Sequence, residues 1–184
     1  MSKLTQARCY LAGAMDRVKD GGVGWRLDIQ STLDDLGIHW LDPCRKPIDI
    51  GLEDEESRRL RHAAKMRGDF DYVAKEMRTI RCVDLRMTDV ADIVILNLDI
   101  DVHACGTYEE LFWTNRQKKP ILVHVEQGKQ NAPDWLFGTI PHQHIFSTWD
   151  ELADYVRRVA SGEVDETFGR WYFFDWMGEP ARSP

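Results

Sequence analysis

The chain has 184 residues, 43% hydrophobic and 30% charged, which is typical of one globular domain and excludes a disordered or collagen-like chain. Its net charge of −7 argues against binding to a nucleic-acid polymer, although a few local donors could hold one phosphate. No apolar run approaches the ~20 residues of a membrane span and no signal peptide is recognisable, so we expect a cytoplasmic protein that does not bind membranes. Four cysteines without a CxxC pair indicate reduced, structural thiols: Cys9, Cys44, Cys82 and Cys105.

The first predicted elements form a β–loop–α–β unit. Residues 8–13 are typical of a short strand that ends in glycine, and a polar, glycine-rich loop follows at 16–24. Apolar residues then recur at helical spacing from Trp25 until Gly37 ends the helix, and residues 38–41 predict a second strand. Such a unit implies a parallel sheet with a right-handed crossover.

Strands and helices alternate along the rest of the chain. Residues 55–90 are charged and helical, with a break at Gly68. Further strands are predicted at 91–98, 120–125 and 144–146, with helices that open at Gly106, surround Trp135 and run from 148 to 160. Five short strands with helices on both faces make a doubly wound α/β sandwich, which we place at residues 1–160, with an aromatic-rich tail at 161–184. Ligands of such sheets bind at the carboxyl ends of the strands, so the loops after strands one and three are the first candidates.

The strongest local motif is Gly106-Thr107-Tyr108-Glu109-Glu110-Leu111, at the start of the helix after the third strand. It places an acidic side chain at the mouth of the sheet. A capping box between Thr107 and Glu110 would explain the same residues without any chemistry. Asp84 could meet Glu110 in one pocket and divide acid and nucleophile roles with it, or it could be one charge on a solvated helix face.

The loop at 16–24 is a candidate anion site. Arg17, Lys19 and the exposed backbone of three glycines could hold a phosphate at the start of the next helix, and a flexible surface loop is the alternative. The loop matches neither common nucleotide-binding motif. No metal site is expected, because the histidines and cysteines form only isolated pairs, and the absence of a G-x-S-x-G elbow argues against a serine hydrolase.

Several of these segments, in this order, resemble the nucleoside 2-deoxyribosyltransferase family over residues 8–147. The matching pieces are Tyr10-Leu11-Ala12-Gly13, Asp84, Ala91–Ile95, Gly106-Thr107-x-x-Glu110-Leu111 and Lys119-Pro120-Ile121. The resemblance implies a flavodoxin-like sheet of order 2-1-3-4-5, a homo-oligomer, and cleavage of the N-glycosidic bond of a 2′-deoxynucleoside without a cofactor. The implied partners are a small deoxynucleoside or deoxynucleotide and a free nucleobase.

The resemblance also implies roles for individual residues. Glu110 matches the glutamate nucleophile, Tyr10 the tyrosine that orients it, and Asp84 the aspartate that contacts the base and helps to protonate it. Gly13 and Gly106 belong to the matching motifs and are expected to bind substrate. Asn131 resembles an asparagine that the family donates to the neighbouring subunit's site.

The chain departs from the family in two places. Ala104 stands where the family often has an aspartate that holds the sugar hydroxyl, so Asp99 or Asp101 would have to serve. The loop after strand one is long and basic, and related enzymes that hydrolyse deoxynucleoside monophosphates use this loop for the 5′-phosphate, which makes Arg17 a candidate phosphate ligand. Transfer to a second base is our first hypothesis, and hydrolysis or nucleotide sensing without turnover are the alternatives.

The tail contains more aromatic side chains than a chain end would leave in water. We expect them to cover the protein's own core or a neighbour's surface, and we expect the tail or the loop at 131–135 to approach an adjacent subunit's site in a homo-oligomer. The residues are Trp171, Tyr172, Phe173, Phe174 and Trp176.

Overall fold

The computed structural model describes residues 2–164, together with Phe168, Arg170 and Trp171. Its centre is a five-stranded sheet in which every strand pair is parallel and the order is β2-β1-β3-β4-β5, as the resemblance implied. The doubly wound prediction is confirmed. The strands are β1 (Arg8–Gly13), β2 (His39–Leu41), β3 (Ile93–Leu98), β4 (Ile121–Val125) and β5 (Ile145–Phe146).

Six α-helices connect and flank these strands in the described part of the chain. They are α1 (Val23–Thr32), α2 (Glu55–Met66), α3 (Phe70–Val90), α4 (Cys105–Arg116), α5 (Asp134–Phe137) and α6 (Trp149–Ser161). The predicted break between α2 and α3 lies at Gly68, whose φ of 80° is a left-handed conformation that favours glycine. None of these helices combines the length and the apolar character that crossing a membrane requires.

Alternation along β1 divides the core between the two faces of the sheet. Cys9 and Leu11 pack with apolar residues of α1 and α6, whereas Tyr10 and Ala12 pack on the opposite face with residues of α3 and α4. Successive side chains of a strand point to opposite faces, so the position of Tyr10 in β1 fixes its direction. It is thereby aimed at the helices that carry the predicted acidic residues.

The start of α4 differs from the capping-box interpretation, which is wrong. The helix begins at Cys105, its N-cap is Ala104, and no side chain caps it. Thr107 therefore lies inside the first turn rather than at the N-cap, and Glu110 lies in the second turn. A capping box does occur in the chain, between Thr148 and Glu151 at the start of α6.

The tail is described only in part. Trp171 is buried in the core on the α1 and α6 face, which fits the expectation that tail aromatics cover the protein's own core. Arg170 donates hydrogen bonds to Asn115 Oδ1 and to the carbonyls of Lys119 and Thr139, which ties this point of the tail to the domain. The other aromatic residues, 172–174 and 176, lie outside the described residues, and the division at residue 160 stays a prediction.

All four cysteines are free thiols, as predicted. Cys9 is buried and Cys44 is partly buried, so they fit the structural role that the sequence suggested. Cys82 and Cys105 are exposed. The structural interpretation is wrong for these two, because neither is buried in the core.

Candidate active site

A cavity of about 450 Å³ opens beyond the carboxyl ends of β1 and β3, where Gly13 and Asn97 are paired. We call it the main cavity. This is the topological switch point, because the chain runs from β1 outward to β2 and then returns to β3 on the other side. Five residues that the sequence analysis selected line this one space: Gly13, Arg17, Asp84, Gly106 and Glu110.

Tyr10 and Glu110 form a buried hydrogen-bonded pair at the base of the main cavity. The Tyr10 hydroxyl donates to Glu110 Oε1 at 2.6 Å, and only 9% of Glu110 is exposed. Among the described residues nothing donates a hydrogen bond to the other oxygen, Oε2. The pair therefore fixes the orientation of the carboxyl group and leaves one oxygen available to a ligand.

The protonation of this pair is set mainly by burial. Burial raises the pKa of Glu110 to about 8, the hydrogen bond from Tyr10 opposes that rise, and the negative charge of Asp84 adds to it. The pKa of Tyr10 is raised well above its ordinary value by burial and by the nearby carboxylates, so Tyr10 keeps its proton and acts as a donor.

Asp84 lies in a buried ion-pair group that includes two residues absent from the sequence analysis. Lys46 Nζ, on a fully buried side chain, lies 2.8 Å from Asp84 Oδ1 and 3.1 Å from Glu53 Oε1. Because Asp84 is only 8% exposed, the solvated-helix-face alternative is wrong. Burial and the charge of Glu53 raise the pKa of Asp84 to about 7, and Lys46 opposes this rise. Asp84 thus holds a proton over part of the neutral range.

The position of Lys46 and Glu53 follows from the topology. Both belong to the polar loop after β2, and β2 lies next to β1 in the sheet. Loops that follow adjacent parallel strands meet at the same edge of the sheet. The polar loop after β2 is therefore the feature of the sequence that could have placed Lys46 and Glu53 near the site. Composition alone does not show that the lysine would be buried.

The loop after β1 is held in place by internal hydrogen bonds rather than being an unattached surface loop. The N–H groups of Gly22 and Gly24 donate to the Asp20 carboxylate at 2.9 and 2.8 Å, and the N–H of Gly21 donates to Val18 O. These amides are therefore occupied, and the predicted backbone cradle for a phosphate is wrong. Of the loop's two predicted cations, Arg17 lines the main cavity and Lys19 does not.

A buried arginine from α1 fastens this loop to the sheet. Arg26 donates to the carbonyl oxygens of Leu11, Gly13 and Gly22, and it lies 3.8 Å from a carboxylate oxygen of Asp42. It is fully buried although its helix begins in a polar segment. Sequence reasoning missed it, because one arginine in an amphipathic helix is typical of a solvated face.

Three predicted substrate-binding residues lie away from the main cavity. Asp99 faces a separate cavity of about 200 Å³, and Gln127 Nε2 donates to the carboxylates of both Asp99 and Asp101. Asn131 donates to Gln127 O and lines neither space. The structure therefore does not bring these residues together with Glu110, and their roles stay predictions.

The start of α4 completes the wall of the main cavity. Ala104 lines it, where the family often places an aspartate. A Cβ added to Gly106 would meet no atom within 4 Å, so this glycine leaves open space beside Glu110. Among the described residues, no cluster of His, Cys, Asp and Glu side chains could hold a metal ion. The arrangement offers two carboxyl groups, one held by a tyrosine and one by a lysine, in a partly apolar cavity.

Solved structures share this fold. A 2-deoxyribosyltransferase from Bacillus psychrosaccharolyticus matches with a TM-score of 0.52 and 19% identity over 81% of this chain and 92% of that chain. A conserved protein from Enterococcus faecalis matches with a TM-score of 0.51 and 13% identity over 84% and 99% of the two chains. A CMP N-glycosidase from Clostridium botulinum matches with a TM-score of 0.45 and 15% identity over 82% and 98%. No protein-family model and no curated protein sequence matches the chain. The matches with TM-scores of 0.52 and 0.51 confirm the fold that the resemblance implied.

Proposed function

We propose that the protein is an enzyme that cleaves the N-glycosidic bond of a 2′-deoxynucleoside or deoxynucleotide and transfers the deoxyribosyl group to another nucleobase. The observation that carries the proposal is that Glu110, held by the hydrogen bond from the buried Tyr10, lines the main cavity together with Asp84. The fold shared with a 2-deoxyribosyltransferase and the family resemblance of the motifs agree with it.

In this proposal Glu110 is the nucleophile and Asp84 the general acid. The Glu110 carboxylate attacks C1′, the C1′–N bond breaks, and its electron pair leaves with the base, which takes a proton from Asp84. A glycosyl ester on Glu110 remains. A second base then attacks C1′ while the Asp84 carboxylate takes the proton from its attacking nitrogen, the ester bond breaks, and both the Glu110 carboxylate and the Asp84 acid are restored. Two inversions give net retention at C1′, and the negative charge of Glu110 stabilises the oxocarbenium-like transition states.

The protonation states that the reaction needs predict a bell-shaped pH profile. Glu110 must be ionised and has a pKa of about 8, whereas Asp84 must be protonated and has a pKa of about 7. At low pH both groups are protonated, so the nucleophile is lost, and at high pH both are charged, so the acid is lost. We expect kcat/KM to peak at about pH 7.5 and to fall about tenfold per unit below 7 and above 8. A profile that stays level from about pH 5 to 9 would contradict these assignments.

Tyr10→Phe tests the positioning role of the tyrosine. The change removes the hydrogen bond that stabilises the Glu110 carboxylate, so kcat/KM at neutral pH should fall by about 10- to 100-fold. The pH optimum should also move to higher pH, because the pKa of Glu110 rises while that of Asp84 stays at about 7, and a general loss of packing would not produce this shift. Tyr108→Phe is the matched control, because no described residue hydrogen-bonds the Tyr108 hydroxyl. Equal profiles for the two variants would exclude this role for Tyr10.

One incubation distinguishes the three candidate functions. The protein is mixed with a deoxynucleoside, or its 5′-monophosphate, and a different free base, and the products are separated by chromatography. A new nucleoside means transfer, and free base alone means hydrolysis. Stabilisation of the protein by the ligand without any product means a sensing module. Arg17, which lines the main cavity, is the candidate ligand for the phosphate of a monophosphate substrate.

We also propose that the protein forms a homo-oligomer through the surface near Asn131. Trp135, four residues later, is 78% exposed, and Phe137 beside it is exposed as well. Large aromatic side chains in water are typical of an interface. Light scattering at micromolar concentration should show more than one subunit, and a monomer with full activity would contradict the proposal. The cytoplasmic location stays a prediction.

A further inference from the structure

A second cavity of about 720 Å³ adjoins the main cavity, and Asp16, Arg17 and Arg61 line both. We call it the basic cavity, because only Asp16 and Glu55 on its wall are acidic. A positive surface of this kind is a local feature in a chain whose net charge is −7. The basic side chains of its wall are Arg17, Arg58, Arg59, Arg61, His62 and Lys65.

Helix α2 supplies most of this basic surface. Arg58, Arg61, His62 and Lys65 recur at the spacing of residues on one face of a helix. The same face packs towards the loop after β1, where a Cβ added to Gly21 would lie 2.5 Å from Arg58 Nη1. The helix therefore brings a column of cations to the mouth of the proposed active site.

Arg61 is unusual among the buried charged residues of this chain. It is only 6% exposed, its Nη1 has no hydrogen-bond partner, and no described carboxylate lies within ion-pair distance, although its charge helps at longer range to lower the pKa of the exposed Asp54. Arg26, which is equally enclosed, donates to three carbonyl oxygens, and Asp84 contacts Lys46. A buried charge without a hydrogen-bonded or ion-paired partner is costly, so an arginine kept in this state at the junction of two cavities indicates that an anionic ligand completes it.

We propose that Arg61 binds the 5′-phosphate of the nucleotide substrate and that the basic cavity holds the outer phosphates of a 5′-di- or triphosphate. The inference rests on the proposed function, which places C1′ of the sugar beside Glu110. The 5′ side of the ligand then leaves the main cavity between Arg17 and Arg61. A guanidinium group forms paired, charge-assisted hydrogen bonds with phosphate oxygens. The phosphate of a monophosphate would occupy only the junction of the two cavities, whereas the outer phosphates of a di- or triphosphate reach the other cations of α2.

Binding measurements test this substrate class directly. Inorganic tripolyphosphate is titrated into the native protein, and deoxynucleosides with their mono- and triphosphates are titrated into Glu110→Gln, which should not consume them. We expect each triphosphate to bind at least about tenfold more tightly than its monophosphate, and the monophosphate more tightly than the nucleoside. The difference should shrink as the salt concentration rises.

Arg61→Gln identifies the residue responsible. This variant should lose at least about tenfold in affinity for tripolyphosphate and for both nucleotides, and it should bind the nucleoside unchanged. Its melting temperature without ligand should be equal to or above that of the native protein, because an unpaired buried charge has been removed. Arg116→Gln is the matched control, since this exposed arginine at the end of α4 lines neither cavity.

Two results would overturn the inference. One is equal affinity for monophosphate and triphosphate. The other is an Arg61→Gln variant that melts at a lower temperature and keeps the native affinity for tripolyphosphate, which would make Arg61 a structural residue. Failure of the proposed function is seen separately, in assays of base release by the native protein. Phosphate binding through Arg61 without base release supports the anion site and contradicts the enzyme. Base release with equal affinity for the nucleoside, its monophosphate and its triphosphate supports the enzyme and contradicts the anion site.

Discussion

Glu110→Gln should remain folded and lose activity by at least about a thousandfold, or roughly 4 kcal/mol of transition-state stabilisation. An amide has no negative charge to stabilise C1′ and is a far weaker nucleophile than a carboxylate. The amide oxygen can still accept the hydrogen bond from Tyr10, so the geometry of the pair is retained. Steady-state kinetics at about pH 7.5 measures the loss.

The same variant should be more stable than the native protein at high pH. The pKa of Glu110 in the folded protein, about 8, lies above its ordinary value of 4.5, so the folded state holds a proton that the unfolded state has released. Native stability therefore decreases as the pH rises from about 4.5 to 8, whereas the amide that replaces this carboxyl group in the variant does not titrate. Melting curves should coincide at about pH 4 and separate at pH 8, with the variant higher.

Glu109→Gln is the matched control for this experiment. Glu109 is adjacent to Glu110 and also lines the main cavity, but it forms an exposed ion pair with Arg81. The control should keep most of its activity. If Glu109→Gln were inactive and Glu110→Gln active, the nucleophile would be one residue away from the position assigned here. If both were active, the sensing module would be the better account.

Asp84→Asn should lower kcat/KM by about 100- to 10,000-fold, because an amide cannot protonate the leaving base. Lys46 keeps Glu53 as an ion-pair partner, so the loop after β2 should stay in place. A deoxyriboside whose leaving group needs no proton should restore the activity of Asp84→Asn and should not restore that of Glu110→Gln. Asp71→Asn, an exposed aspartate in the first turn of the same helix, is the control.

Failure of the activated substrate to restore Asp84→Asn would assign the residue a different role. The loss would then arise from the buried charge group around Lys46 rather than from proton transfer. In that case the alkaline limb of the native pH profile, assigned to Asp84, should also persist in Asp84→Asn. These two readouts separate an acid from a residue that only shapes the cavity.

Most residues of the site that the sequence predicted lie on strands and helices with a regular hydrophobic period. Tyr10 lies on β1, whose side chains alternate between the two faces of the sheet. Glu110 lies on α4, which follows β3, and β3 pairs with β1. The strand order therefore brings the two side chains to the same edge of the sheet. The strand boundaries differ from the prediction by no more than two residues. The start of α4 was misread because a Thr-x-x-Glu spacing has the same form inside a helix as at its cap.

The parts that the sequence did not predict depend on charged residues that only the tertiary fold buries. Lys46 and Glu53 belong to a polar loop, and Arg26 and Arg61 to helices whose charges are typical of a solvated surface. Hydrophobic periodicity carries no information about such residues, because their burial depends on partners far away in the chain. In this protein Glu53 and Arg61 line the main cavity, whereas Lys46 and Arg26 hold residues of its wall, Asp84 and Gly13.

Mass spectrometry of the Glu110 peptide tests the central claim most directly. The protein is incubated with a deoxynucleoside analogue that carries a good leaving group and a 2′-fluorine, which slows breakdown of a glycosyl ester, and it is then denatured and digested. The account predicts that the peptide containing Glu110 gains the mass of one sugar residue, that fragmentation places it on Glu110, and that Glu110→Gln gains nothing. Release of the base with the sugar attached to another residue, or with the same labelling in Glu110→Gln, would contradict it.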